Sequence, residues 1–403
     1  MKNPASTQRF LSEGFVEELE SEPSIDLRRF YDREHLLLAS FATHSGDTAG
    51  RYHSEPSHSY RGPYARDRDR ILHSSAFRRL SGKMQVFTGE MGIYHRTRLT
   101  HTFEVSSVAR TISRALRLNE DLTEALALMH DIGHPPYGHC GEDVLNDCLK
   151  DSGGFSHNQF ALVIVQQLEK RYQLFDGLNL CRETLGGQDV RANKEAAAFG
   201  RSPRLEVQIV DAADSIAYDA HDVDDALQLG LLTIDELINL SIIRRAVDAV
   251  SNRYGDLPKH QLRPLLVHEL IDLQVSDLLN ESSSQLLTHD GKTSEELSML
   301  GIRLAHSSAL SQERRDLEEF LFNAVYRHDR LLPVRKAAGN RLMVLFVKLA
   351  SNPERLPLRF RQRAEMYSPE VATGEYLAGM TDSFCDRQYT QITNLASGPL
   401  ADW

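Results

Sequence analysis

The sequence predicts an all-α protein, on three observations. Residues 205–227 (LEVQIVDAADSIAYDAHDVDDAL) read as one uninterrupted helix, with Val207, Val210, Asp214, Ala217 and His221 recurring at spacings of three and four. Strand signals are sparse: there is no period-two β-branched run, and no Asn-Gly or Asp-Gly turn joins two such runs. Residues 228–403 are mostly amphipathic in helical period.

Taken in order, Ile25 to Phe41 predicts a helix whose apolar material is Leu36, Leu37, Leu38 and Phe41. Residues 42–64 are rich in Gly, Ser, Pro and His and read either as a connector or as a loop covering the active site. The pair His53/His58 is too isolated to be a metal site. A basic run follows: Arg66, Arg68, Arg70, Arg78, Arg79, Lys83, Arg96 and Arg98. Arg66 to Arg70 fit a solvated helix face balanced by Asp67 and Asp69. Helix 100–117 is expected to bury Phe103, Val108, Ile112 and Leu116. Asp121, with Glu124 three residues on, predicts the N-cap of the next helix, which Gly133, Pro135 and Pro136 must end. Ser156 is a plausible N-cap for another helix. Segment 280–295 reads as an exposed loop. The resulting division is an N-terminal helix and connector (1–64), a core (65–230) and a C-terminal helical region packed on it (231–403).

Composition narrows the function classes. At 403 residues with 41% hydrophobic and 26% charged, the chain can bury a sizeable core. The net charge of −11 argues against general nucleic-acid or anionic-membrane binding. There is no apolar run of membrane-spanning length and no signal-peptide pattern. Cys140, Cys148, Cys181 and Cys385 show no CxxC spacing, so a reducing cytoplasm is the expected location. Cys140 reads as a small buried thiol rather than a nucleophile.

The chemistry concentrates in residues 98–142. His130 and Asp131 offer an imidazole nitrogen and a carboxylate oxygen side by side, which suits a first-row divalent ion. They stand at a helix C-terminus, where a carboxylate faces the negative end of the dipole at a cost of about 0.3–1 kcal/mol that a cation would offset. His101 starts the preceding helix, and Arg98 lies one turn from it, within reach of an anion on that metal. His157 falls in a first helical turn, where the dipole favours neutral imidazole. Asp214 sits in the core-facing stripe of helix 205–227, and a buried carboxylate needs a partner or a metal. Tyr218 and Asp222 follow on the same side; Asp219, Asp224 and Asp225 read as a solvated acidic face.

In combination these motifs resemble the HD-domain deoxynucleoside triphosphate triphosphohydrolases, in their bacterial deoxyguanosine triphosphate triphosphohydrolase-like branch. RDRDRILHSSAFRRLSGKMQVF, TRLTHTFEV, HDIGHPPYGHCGE, GGFSHNQ, GLNLCRETL, the Asp214 helix and EYLAGMTDSF occur in the family's order, across roughly residues 29 to 393. The resemblance implies an all-α HD core with His101, His130, Asp131 and Asp214 as ligands of one catalytic divalent transition metal (Mn, Fe, Ni or Zn), and magnesium travelling with the nucleotide. It implies His139, Glu142 and His157 around the phosphate and the attacking water. His134 falls where some members have histidine and others asparagine. Gln85 and Asp222 match residues that contact the sugar 3′-hydroxyl, Tyr218 matches an aromatic that packs on the sugar and excludes a 2′-hydroxyl, and Arg98 would touch the α-phosphate or base.

The implied reaction is attack at the α-phosphorus, releasing 2′-deoxynucleoside and intact triphosphate, with dGTP as the expected preference. His139, held by Glu142, is the expected group for moving a proton or supporting in-line geometry. The resemblance also implies a homo-oligomer and a nucleotide activator. The sequence departs from the family at Ser215, where some relatives carry a phosphate-binding lysine, at Met84, often threonine, and over residues 188–203, which border the expected substrate site. Two other classes stay open. One is another HD-class phosphohydrolase, such as a nucleotidase or cyclic-nucleotide phosphodiesterase. The other is a nucleotide sensor or single-strand nucleic-acid-binding protein with weak catalysis.

Overall fold

The computed structural model describes residues 30–85, 96–193 and 201–393. Among them are eighteen α-helices and no strand, with only two isolated β-bridges. The first eight are α1 (Phe30–Leu37), α2 (Pro63–Leu72), α3 (Ser75–Arg79), α4 (Arg98–Ala115), α5 (Glu120–Met129), α6 (Gly138–Cys148), α7 (His157–Val163) and α8 (Arg182–Ala192). Then come α9 (Leu205–Gln228), α10 (Ile234–Leu237), α11 (Ser241–Tyr254), α12 (Lys259–Leu287), α13 (Ser294–Met299) and α14 (Ser308–Leu321), whose last turn widens into a π-turn over Phe322–Tyr326. The described residues finish with α15 (Leu332–Ala350), α16 (Leu358–Met366), α17 (Pro369–Ala378) and α18 (Asp382–Thr393). No described helix is long and apolar enough to cross a membrane.

The central element is α5, buried from Leu122 through Met129 except at Glu124, as expected of a helix that is apolar on most of its faces. It lies against α2, α4, α8 and α9. Asn119, not Asp121, caps it: the Asn119 side chain accepts from the Leu122 N–H at 3.1 Å, and Glu120 and Asp121 fill the first turn. α4 starts with a capping box on Thr97 and Thr100. The long α9 joins two hydrophobic cores. Val210 and Ala217 pack with Val105, Ile112 and Leu122, while Val223 and Ala226 pack with Ile242, Leu266 and Leu317. A third core brings Met129, Ile132 and Phe160 against Leu342, Tyr376 and Leu377 of the C-terminal helices.

Several expectations are corrected. Of the helix expected over 25–41, the described part is Phe30–Leu37, residues 25–29 lie outside the described residues, and Leu36 and Leu37 are exposed rather than buried. The buried stripe of α4 runs through Arg98, His101, Thr102, Val105, Ala109 and Ile112. Phe103 is off that stripe, half-exposed, and edge-on to Phe77 at 5.8 Å. The supposed loop 280–295 is helical through Leu287. Ser282 and Leu286 continue the buried stripe from Leu278, and the hydroxyls of Ser283 and Ser284 fold back onto the Asn280 carbonyl at 3.1 and 3.0 Å.

The segment Arg66–Arg70 is not a solvated face. Asp67 is fully buried and accepts from Arg51, from the Cys181 N–H at 2.8 Å and from the Thr184 hydroxyl at 2.8 Å. Arg70 donates to the Leu178 and Asn179 carbonyls at 3.0 and 2.7 Å. Together with the bond from Thr48 to Glu183 at 2.8 Å, this network pins residues 48–70 to the start of α8, and none of residues 42–64 lines the active-site cavity.

Candidate active site

Three elements bring the metal-type residues together. The first turn of α4 supplies His101, the turn after α5 supplies His130 and Asp131, and the middle of α9 supplies Asp214. His101 Nε2 stands 3.0 Å from Asp214 Oδ1. His130 Nε2 is 3.6 Å from Asp131 Oδ1 and 3.6 Å from Asp214 Oδ1. The ligand atoms of His101, His130 and Asp131 all lie within 4.8 Å of one another.

Hydrogen bonds at the back of each group decide what it presents at the front. His130 Nδ1 faces the Ala127 carbonyl at 2.6 Å and must donate to it, which leaves a lone pair on Nε2. That nitrogen is buried and has no protein partner. Each carboxylate turns one oxygen inward and gives the other to an arginine: Asp131 Oδ2 accepts from Arg98 Nη1 at 2.8 Å, and Asp214 Oδ2 from Arg191 Nη2 at 3.0 Å. Burial raises both carboxylates, but the surrounding charges outweigh it. Arg98 holds Asp131 well below the usual carboxylate range; the hydrogen bond from His101 and the Arg191 guanidinium do the same for Asp214. Burial lowers His130 and, more strongly, His134, keeping both neutral. His101, His130 and Asp131 form a cluster that could hold a metal ion, with Asp214 Oδ1 beside both imidazoles, and imidazole and carboxylate donors of this kind fit a first-row divalent cation. The buried Nε2 of His130, otherwise orphaned, is the observation that favours one.

Beside this centre stands a second group of histidines. The chain enters it through Tyr137 and Gly138, consecutive residues in the left-handed region (φ 66° and 61°). A tyrosine there costs about 1–2 kcal/mol and must be held in place from outside. Asp382 does so, accepting from the Tyr137 N–H at 2.9 Å and the Met84 N–H at 3.1 Å; Asp386 accepts from the Tyr137 hydroxyl at 2.7 Å. Fully buried Lys83 ties the same turn from the other side, donating to the His134 carbonyl and, at 3.0 Å, to that of Ala378. His134 and His157 stack with ring centroids 3.8 Å apart.

Glu142 grips His157 rather than His139. Its Oε1 takes the His157 ring Nδ1–H at 2.7 Å and the His157 backbone N–H at 2.9 Å, whereas Oε2 is 3.6 Å from His139 Nδ1. Glu142 thereby caps α7, and the Ser156 side chain makes no capping bond. Burial raises the Glu142 carboxyl, but His139 and His157 hold it well below the usual range. The His139 side chain is half-exposed and lines a cavity of about 930 Å³.

Of the other expected residues, His157, Asp214, Tyr218 and Asp222 also line that cavity. Asp222 is buried and accepts from the Tyr326 hydroxyl at 2.7 Å; its Oδ1 has no partner, and burial raises its carboxyl well above the usual range. The Tyr218 and Tyr326 hydroxyls are in contact. Gln85, at the edge of the described residues, is buried with Oε1 unpartnered, and neither it nor Arg98 lines the cavity. Arg98 is turned onto Asp131, away from the open cleft. The acidic residues expected to be solvated are paired: Asp219 with Arg314 at 2.9 Å, Asp224 with Arg96 at 3.0 Å and Arg263 at 2.8 Å, and Asp225 with Arg96 at 3.5 Å. Burial pushes Asp219 up to about 7 even with Arg314 beside it. Partly buried Cys140 donates to the Arg335 carbonyl at 3.2 Å, and burial raises its thiol, which leaves a poor nucleophile.

The sequence reading missed Tyr326 and Arg191. Tyr326 is on the π-turn ending α14, far along the chain, with no local pattern to mark it. Arg191 lies in the stretch 188–203 and also lines the cavity; besides Asp214 it pairs with Asp211 at 3.0 Å, and its Nη1 is buried without a partner.

Residues 98–219 match the HD domain, and residues 304–391 match the phosphohydrolase-associated domain. The chain is 38% identical over 369 residues to a deoxyguanosinetriphosphate triphosphohydrolase-like protein of Bordetella pertussis, covering 88% of this chain and 96% of that one. A protein of the same description from Nitrosomonas europaea is 37% identical over 365 residues (88% and 97%), and one from Geobacter sulfurreducens 38% over 368 residues (89% and 96%).

Proposed function

The chain belongs to the deoxyguanosinetriphosphate triphosphohydrolase-like family of HD-domain phosphohydrolases, and we propose that it hydrolyses deoxynucleoside triphosphates at the α-phosphorus, with dGTP preferred, to 2′-deoxynucleoside and inorganic triphosphate. The observation that carries this reading is the joining of two features in one cavity. An imidazole–carboxylate cluster opens through Asp214 onto the wall formed by Tyr218, Asp222 and Tyr326. A metal cluster alone suits many phosphohydrolases; a buried carboxylate and two tyrosines beside it suit a deoxyribose whose 3′-hydroxyl must be gripped.

In this mechanism His101, His130, Asp131 and Asp214 would hold one divalent transition metal (Mn, Fe, Ni or Zn). A divalent ion there supplies Lewis acidity at phosphorus and acidifies a water molecule. Arg98 keeps Asp131 ionised and fixes which oxygen it turns inward. Arg191 does the same for Asp214, and its unpartnered Nη1 is suited to a phosphate oxygen, the task for which some relatives carry a lysine at the position of Ser215. Asp222 would contact the sugar 3′-hydroxyl and Tyr218 pack on the sugar, while Gln85, the family's other match for that hydroxyl, is buried off the cavity wall with its Oε1 unpartnered. Neutral His134 and the Glu142-held His157 line the phosphate side. Magnesium would travel with the triphosphate. A cytoplasmic location, a homo-oligomeric assembly and a nucleotide activator belong to the same reading.

His139 is the proton-transfer group of this scheme, with Glu142 on its Nδ1 side and its ring open to the cavity. His139→Ala should lower kcat by about 10²–10⁴-fold and change KM far less. A variant with parental turnover would remove His139 from the mechanism.

The deciding experiment is product analysis. The protein is incubated with each deoxynucleoside triphosphate singly and in mixture, with magnesium and with manganese. Deoxynucleoside with intact triphosphate is the expected result, fastest from dGTP. Turnover only in the mixture would assign an activator. Release of diphosphate, pyrophosphate or monophosphate would overturn the reaction while leaving the metal centre, and a substrate that binds without turnover would make the chain a sensor.

A further inference from the structure

Behind His101, on the side away from the cavity, is a chain of polar contacts to which the mechanism above gives no role. His101 Nδ1 faces His221 Nδ1 at 3.2 Å, with the rings nearly perpendicular at 77°. His221 Nε2 in turn faces Glu104 Oε2 at 2.6 Å. His221 is buried on α9, one turn beyond Ala217, and Glu104 is on α4, its side chain half-exposed. Arg96 also reaches Glu104 and anchors to Asp224 at 3.0 Å.

Two facing Nδ1 atoms can share only one proton, so one ring donates and the other accepts. Glu104 breaks the tie. A carboxylate only accepts, so it takes the Nε2–H of His221 and leaves His221 Nδ1 as an acceptor. With a divalent ion between His101 Nε2 and Asp214 Oδ1, His101 then carries its proton on Nδ1 and gives the ion its Nε2 lone pair; without the ion, Asp214 Oδ1, 3.0 Å away, competes by accepting a proton from Nε2. We propose that Glu104 and His221 form a tautomer relay that sets His101 in its metal-ligating form, with Glu104 as the positioning residue at its solvent end. The proposal rests on the metal-holding reading of His101, His130, Asp131 and Asp214.

Glutamine in place of Glu104 keeps the shape and removes the selection, because an amide can donate as well as accept. His221 is then free to carry its proton on Nδ1, which drives the His101 proton onto Nε2, where the ligand lone pair is required. Asparagine in place of His221 has the opposite virtue. Its amide can meet His101 Nδ1 at about the position of the imidazole Nδ1, and with no second ring nitrogen to reach position 104 it uncouples His101 from whatever stands there.

The test is equilibrium binding of Mn(II) alone to the metal-stripped full-length chain, by calorimetry, with thermal melts to check folding. Glu104→Gln should weaken the affinity by about 10–100-fold, the usual effect of losing a partner that orients a metal-bound histidine. Arg96→Gln, which removes the other partner of Glu104, should leave it within about threefold. In a His221→Asn background, Glu104→Gln should have no further effect. Unchanged Mn(II) affinity in Glu104→Gln, or an equal loss in the His221→Asn background, would overturn the relay while the metal reading stands. A wild-type chain that takes up no Mn(II) would overturn the metal reading and the relay with it.

Discussion

Asp214→Ala is expected to reduce turnover by at least about a thousandfold: on the proposed reading it is a metal ligand, and loss of the ion forfeits several kcal/mol of transition-state stabilisation, each ~1.4 kcal/mol being a factor of ten. Its Oδ1 lies 3.0 Å from one imidazole and 3.6 Å from another, so no neighbouring carboxylate can replace it. The loss has a second component. Arg191 would keep its pairing with Asp211 but lose the carboxylate that aims Nη2 at the centre. Stripping the metal from the parental protein should reproduce most of the deficit, and adding Mn(II) back should reverse it in the parent and not in the variant. Measuring kcat across a Mn(II) titration separates the two, and near-parental activity of Asp214→Ala at any metal concentration would remove Asp214 from the ligand set.

The second large effect is expected from a single methyl group. A Cβ at Gly133 would stand 2.0 Å from the His157 carbonyl oxygen and 2.6 Å from the Ala161 nitrogen. Both are backbone atoms in the first turns of α7, so no side chain can swing aside. Gly133→Ala must therefore push α7 off the turn that carries His130, Asp131 and His134. Overpacking of this kind costs about 1–3 kcal/mol, which in a chain of this size corresponds to a fall in Tm of about 1–4 °C. Turnover should fall further, by about 100-fold, because a 1 Å displacement of catalytic groups has that effect, and here it strikes the grip of Glu142 on His157. A melting curve and a kcat settle it: a variant with parental Tm and parental turnover would show that α7 does not pack on Gly133 as described.

Much of this architecture is legible in the sequence because it is encoded locally. The three-and-four spacing of Val207, Val210, Asp214 and Ala217 specifies both the helix and its buried stripe. His130-Asp131 is placed by Gly133 and two prolines that no helix can absorb. Less legible are charges whose partners are remote in sequence. Asp67 and Asp69 look alike beside their arginines, yet Asp67 is fully buried, and its partners include Arg51, Cys181 and Thr184. The serine run 282–284 has the composition of a loop; only the burial of Ser282 and Leu286 makes it helix. Tyr326 enters the site from 104 residues beyond Asp222, through a π-turn that follows no simple periodicity. The family resemblance marks Glu142, but which histidine it grips depends on where α7 begins, a tertiary fact.

The left-handed turn at Tyr137 has a temporal consequence. Asp382 holds its backbone N–H and Asp386 its hydroxyl, from 245 and 249 residues downstream. During synthesis at about 5–20 residues per second, roughly 10–50 s separate emergence of the histidine turn from emergence of the helix that locks it. The nascent chain thus has every metal-type and phosphate-side residue long before it has the brace for their loop. Formation of α18, rather than of the histidine turn itself, is the step after which that turn is held.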